Sequence, residues 1–220
     1  MDMITIRRKL MAKMQSGGGD IPAEYQPVQY LRNTDRAYIM TDWASADVTR
    51  LDIQFHYNAQ KSWASIVGSS INMTDPVGNL VEFGTGRNMT FRYNGVIIGT
   101  VPLPSVGEDY NLSAIWRDGD QKLILNGNTL ITGQNTTPNN GAVHMSFFGI
   151  YYGSQDNKPG ERALIDCYGC QFYGITGRMI SGYRPVYRKS DHIAGYYDVI
   201  TGEFLTNAGT GSFVIGPDIN

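Results

Sequence analysis

The 220-residue chain is 41% hydrophobic and 17% charged, with a formal net charge of −2, a balance that fits one soluble domain with its own core. Lacking a basic footprint, it is not expected to bind nucleic acid. Its charged fraction falls well short of the usual quarter, leaving a surface of Asn, Ser, Thr, Gly and Tyr suited to neutral polymers or protein neighbours.

The first twenty residues, MDMITIRRKLMAKMQSGGGD, differ from all that follow. Arg7, Arg8 and Lys9 interrupt any apolar run of the length a secretory signal needs, and no stretch approaches the roughly 20 apolar residues that span a bilayer. Neither secretion nor membrane insertion is expected. Met3, Ile6, Leu10 and Met14 fall roughly on one side of a possible helix, with Ile4 and Met11 beside them, and QSGGG breaks it. This predicts an apolar peg on a flexible tether, and a free tail is the alternative.

From Ile21 onward the pattern is of strands joined by tight turns. TRLDIQFHY alternates Leu51, Ile53, Phe55 and Tyr57 with Arg50, Asp52, Gln54 and His56, the period of a half-buried strand. Asn94-Gly95 separates two β-prone runs, and Asp118-Gly119 and Asn126-Gly127 bound DQKLIL, which predicts a meander of hairpins. AVHMSFFGIYYG and ERALIDCYGCQFYGI read as aromatic-rich central strands separated by SQDNKPG. Within the second, Cys167 and Cys170 lie three apart, so regular alternation would point them to opposite faces and leave two unpaired thiols. With His56, His144 and His192 scattered, the four ligands of a structural zinc site are lacking. No segment after the leader has a capped 3.6-residue period, so the fold class is all-β, an antiparallel two-layer sandwich or barrel.

Three phrases carry a resemblance. IPAEYQPVQYLRNTDRAYIMTDW, WRDGDQKLILNGNTL and, most specifically, PVYRKSDHIAGYYDVITGEFLTNAGTGSF resemble the opening strand pair, central hairpin and closing module of laminin-G-like, concanavalin A-like jelly-roll domains found in bacteriophage virions and gut bacteria. The resemblance implies a two-sheet jelly roll over residues 21–220, preceded by a docking peptide and Gly-rich tether in residues 1–20. In the closing module, Thr201-Gly202 and the Asn207-Ala208-Gly209-Thr210-Gly211 run would supply the turns. Tyr196, Tyr197, Phe204, Leu205 and Phe213 would be anchors laying the segment over the sandwich. The mixed-sign YRKSD phrase reads as a solvated loop closed by its own contacts.

Glucanases of this sandwich class carry E-x-D-x-x-E on one strand, and Glu24, Glu82, Glu108, Glu161 and Glu203 share no such phrase with a second acid, so no catalysis is expected. The resemblance instead implies a virion structural protein, made in the host cytoplasm and exposed on the particle. It would be a homo-oligomer attached to other virion proteins through Met3, Ile4, Ile6, Leu10, Met11 and Met14. Its role would be adhesion to host-surface polysaccharide, or decoration of capsid or tail without glycan binding. Candidate sugar contacts are Trp43, Trp63, Tyr151 and Tyr152 as stacking faces, with Asp156 and Asn157 as hydroxyl partners. No cofactor is expected. Calcium, which some members of the wider superfamily hold at the sandwich rim, finds only Asp156-Asn157 here, too little for a site.

Overall fold

A computed structural model describes residues 20–34, 37–59, 64–69, 78–84, 87–139, 141–149 and 164–219. Of the docking peptide and tether expected in residues 1–20, all but Asp20 lies outside them. The described residues form strands and connecting turns, with no helix among them. The strands are β1 (Tyr25–Pro27), β2 (Leu31–Thr34), β3 (Ile39–Ala44), β4 (Arg50–Ala59), β5 (Ala64–Gly68), β6 (Leu80–Phe83), β7 (Asn88–Tyr93), β8 (Val96–Pro102), β9 (Asp109–Arg117), β10 (Asp120–Leu125), β11 (Asn128–Gly133), β12 (His144–Phe147), β13 (Leu164–Tyr173), β14 (Met179–Arg188), β15 (Ala194–Asp198), β16 (Phe204–Thr206) and β17 (Ser212–Ile215).

They make two antiparallel sheets. The smaller runs β3-β12-β5-β6-β7-β8, and the larger β11-β10-β9-β4-β13-β14-β15-β16 with β1, β2 and β17 off that path. The larger sheet forks at β13. One side of β13 follows β4 throughout, whereas the other pairs with β2 at Asp166–Cys167 and with β14 at Cys170–Tyr173. β17 then adds to β2, and β1 pairs with the far end of β14. At the fork, Arg32 donates from Nε and Nη2 to Asp166 at 2.5 and 2.9 Å, and Asn58 Nδ2 donates to the same carboxylate at 2.8 Å, so one buried acid ties three strands together.

The alternation of β4 puts Leu51, Ile53, Phe55 and Tyr57 into the core with essentially no exposure. Aromatic rings cross the interior from sheet to sheet: Tyr57 meets Phe83 at 4.7 Å, Phe91 stacks on Trp116 at 5.9 Å, and Phe147 meets Tyr183 and Tyr196 at 5.4 and 4.9 Å. Such pairs add directional contact to the burial that holds the layers together. The sandwich is closed along both flanks. On one, edge strand β3 meets the end of β16 through a bridge between Ile39 and Asn207. On the other, Ile131 of β11 fills the space over Gly99 of β8, and Ile98 fills that over Gly133. A Cβ on either glycine would stand 2.7 or 2.4 Å from the isoleucine carbon, closer than packed carbons approach.

Several sequence expectations meet the structure here. Asn94-Gly95 and Asn126-Gly127 both have positive φ at both residues and join β7 to β8 and β10 to β11, the geometry a two-residue hairpin requires. The opening phrase is not a strand pair: β1 and β2 join the larger sheet at separate places, and β3 crosses to the smaller. Cys167 and Cys170 do not face opposite ways. A bulge between Cys167 and Gly169 inserts one residue and returns Cys170 to the inner face, so both are free, fully buried core thiols. Burial pushes Cys167 up to about 12 and Cys170 well above its ordinary value.

The closing module adds strands to the sheet instead of lying across it. Tyr196 is wholly buried, and Gly202 has the positive φ its hairpin needs. Gly209 and Gly211 do not. Their turn is held by Asn207, whose Oδ1 accepts from the Tyr38 and Gly209 amides at 3.1 and 2.9 Å while Nδ2 donates to the Gly209 and Gly211 carbonyls at 3.0 and 2.7 Å. The YRKSD loop is closed by its own contacts as expected. Arg188 Nη2 meets Asp191 at 2.6 Å, and Lys189 Nζ donates to the Ala23 carbonyl at 2.8 Å.

Candidate functional site

At one end of the sandwich the turns of both sheets surround a cavity of about 310 Å³. That lies at the lower end of the range that takes small organic ligands and equals about ten times the liquid volume of a water. The wall comes from five separate stretches: Ser45, Ala46, Val48 and Thr49 between β3 and β4; Tyr93 at the end of β7; Trp116, Arg117 and Asp118 where β9 turns into β10; Pro138 and Asn139 before β12; and Ile175 between β13 and β14.

The floor is fixed by the core. Trp116 follows Leu112 and Ala114 on the inward phase of β9 and is only 2% exposed. Its indole N–H donates to the Arg92 carbonyl at 2.9 Å and its ring stacks on Phe91, which fixes the side chain where it lines the cavity. The buried Tyr93 phenol donates to Asp118 Oδ1. Burial, reinforced by that carboxylate, pushes the phenol well above its ordinary value, so it stays a proton donor and leaves the remaining Asp118 oxygen to accept from a ligand.

The walls are held by side-chain amides. Gln121 is fully buried on β10. Its Nε2 donates to the Arg117 carbonyl and, at 2.8 Å, to that of Asn135, while its Oε1 accepts from the Asn135 amide at 2.8 Å. This clamps the 134–139 loop to the β9–β10 turn. Asn139 and Asn79 both donate to the Ser45 carbonyl, at 2.9 and 3.1 Å, and Asn94 donates to that of Pro138 at 3.1 Å. Loops pinned in this way present a preformed cavity whose polar groups need little reordering on binding. Four of the lining residues, Arg117, Asp118, Pro138 and Ile175, are open to solvent. Ile175 is 76% exposed, and Arg117 is exposed with its Nη2 atom 3.5 Å from where a Cβ on Gly177 would stand, against the facing turn.

Comparison with solved structures places this arrangement in a known architecture. A candidate carbohydrate-binding protein from Bacteroides ovatus superposes with a TM-score of 0.60 at 9% identity, over 88% of this chain and 62% of that one. The chain thus spans less than two thirds of that protein. A heptameric SAP-like pentraxin from Limulus polyphemus gives 0.48 at 9% identity over 92% and 93% of the two chains, and the carbohydrate-binding module CBM66 from Bacillus subtilis gives 0.38 at 12% over 69% and 89%. The fold is an antiparallel jelly-roll sandwich. No family model and no curated protein sequence matches the chain.

Of the residues expected from sequence to contact sugar, Trp63, Tyr151, Tyr152, Asp156 and Asn157 lie outside the described residues. Trp43 is half-buried on β3, packs against the core, and donates its indole N–H to Ser181 Oγ of β14 at 2.6 Å, a link between the two sheets. Sequence reasoning missed the rim cavity. Its one legible sign was Gln121, a polar residue on the phase of β10 that also carries the buried Leu123. Among the described residues no cluster of three or more His, Cys, Asp or Glu is placed to hold a metal ion.

Proposed function

We propose that this chain is a non-enzymatic glycan-binding protein of a bacteriophage virion, and that the rim cavity is where the sugar sits. The observation that carries the proposal is the cavity itself. It combines a rigid floor of Trp116 and Tyr93, an available Asp118 oxygen, Asn139 and Arg117 as polar partners, and the apolar Ile175, Val48 and Pro138. Sugars are bound by this mixture, with hydroxyls meeting carboxylate and amide groups and ring C–H faces meeting apolar ones. The likeness of fold to the Bacteroides ovatus protein supports the same assignment.

The virion setting is supported by the sequence resemblance of the closing module and by the basic leader. Residues 1–14 would dock each copy, and repetition in an oligomer would raise the avidity of weak individual sites. Trp43, Trp63, Tyr151, Tyr152, Asp156 and Asn157 stand as candidates for additional contacts along a longer chain.

The test is a titration of the full chain with host-surface polysaccharide fragments, alongside Asp118→Ala and Asn139→Ala. Binding that weakens at least about tenfold in either variant, with the melting transition kept and polysaccharide length unchanged after long incubation, is the expected result. Undiminished binding by both variants would move the site elsewhere, and shortening of the polysaccharide would overturn the non-enzymatic assignment.

A further inference from the structure

The rim cavity also carries a clue to the class of sugar. Arg32, Arg50, Arg92 and Arg188 each meet a carboxylate. Arg117, on the cavity wall, forms no ion pair with any described residue. Its backbone is anchored by Gln121, and its guanidinium leans against the Gly177 turn, while the neighbouring Asp118 carboxylate is held by Tyr93. Arg178, in the same turn, is likewise exposed and outside the ion pairs formed among the described residues. The cavity wall thus carries one guanidinium, Arg117, and one carboxylate, Asp118.

We propose that the sugar taken here is acidic, a uronic- or sialic-type unit whose carboxylate is met by Arg117 while its hydroxyls are met by Asp118 and Asn139. This deepens the glycan-binding proposal above and rests on it. A guanidinium presents a planar fork of N–H donors that matches a carboxylate with two parallel bonds. Asp118 repels the same carboxylate and so fixes the direction in which the sugar enters. The low charge of the sequence as a whole predicts neutral ligands, whereas the local wall predicts a charged one. A binding site answers to the local field.

The experiment is an array of surface polysaccharides and glycans, neutral, carboxylated and sulfated. Each carboxylated member is also printed after carbodiimide-borohydride reduction, which turns its carboxylates into alcohols. The probe is the full chain as wild type, Arg117→Gln and Arg117→Lys, each with a melting curve. We expect binding to carboxylated members that falls at least about tenfold on reduction, a similar fall in Arg117→Gln, and partial recovery in Arg117→Lys. Binding that survives reduction, prefers sulfated or neutral members, or is unchanged in a folded Arg117→Gln would overturn the acidic-sugar inference and leave the glycan proposal intact. Binding to no member would overturn both.

Discussion

Replacing Gln121 with Leu should loosen the cavity without touching its lining. The side chain is fully buried, and its amide makes three bonds: to the Arg117 carbonyl, the Asn135 carbonyl and the Asn135 amide. Leu matches the volume but supplies no partner. The Asn135 carbonyl keeps a second donor, the Gly119 amide at 2.8 Å, and the Arg117 carbonyl keeps its place opposite Asp120 as the closing pair of the hairpin, whereas the Asn135 N–H loses the bond that Gln121 gives it. A polar group stranded in this way costs about 1–3 kcal/mol, so the one left without a partner predicts a loss of about 2 kcal/mol. For a chain of this length that corresponds to a fall in Tm of about 4–8 °C. Urea denaturation measures the loss, and amide hydrogen exchange should show faster exchange confined to residues near 117–121 and 134–139. Ligand affinity should fall in parallel, because the cavity wall then has to be ordered on binding. A loss below about 0.5 kcal/mol, the scale of an ordinary surface change, would refute the clamp.

Two further predictions concern other parts of the shell. Asn207→Ala removes four side-chain bonds and should destabilise the fold by about 2–4 kcal/mol, measured by denaturant unfolding, with Asn207→Asp recovering part of the loss because its oxygen can still accept from the Tyr38 and Gly209 amides. Glu82 of β6 is 7% exposed, and burial raises its pKa despite the nearby Arg92. The folded chain therefore favours the protonated acid, and Glu82's contribution is complete below the ordinary carboxylate range and lost as pH rises through that range to the raised value. Glu82→Gln, which mimics the protonated form, should gain stability relative to wild type as pH rises above about 4, and a difference that is flat with pH would contradict this.

Much of the frame was legible because it depends on local rules. The alternation of β4 and the Asn-Gly hairpins report the period of a strand and the positive φ of a tight turn, both visible within a few residues. The bulge that brings Cys167 and Cys170 to one face was not, since a single inserted residue reverses the phase and nothing in CYGC announces it. Nor was the role of Asn207, where sequence pointed to glycine flexibility and the structure uses a side-chain amide. The cavity was the least legible feature. Ser45, Tyr93, Asp118, Asn139 and Ile175 are distant in sequence and are brought together by the stacking of two sheets, so no short motif can contain them. Trp116 illustrates the difficulty: its phase on β9 reads as core, which it is, and only its neighbours make it part of a site.

The central claim is that this sandwich binds sugar at its turn-lined rim. Backbone NMR of the labelled full chain, recorded while fragments of a bound polysaccharide are added, tests it most directly. Shift changes should concentrate at Arg117, Asp118, Asn139 and Ile175 and saturate together. Changes centred on a sheet face, or none at ligand concentrations that saturate the array, would contradict it.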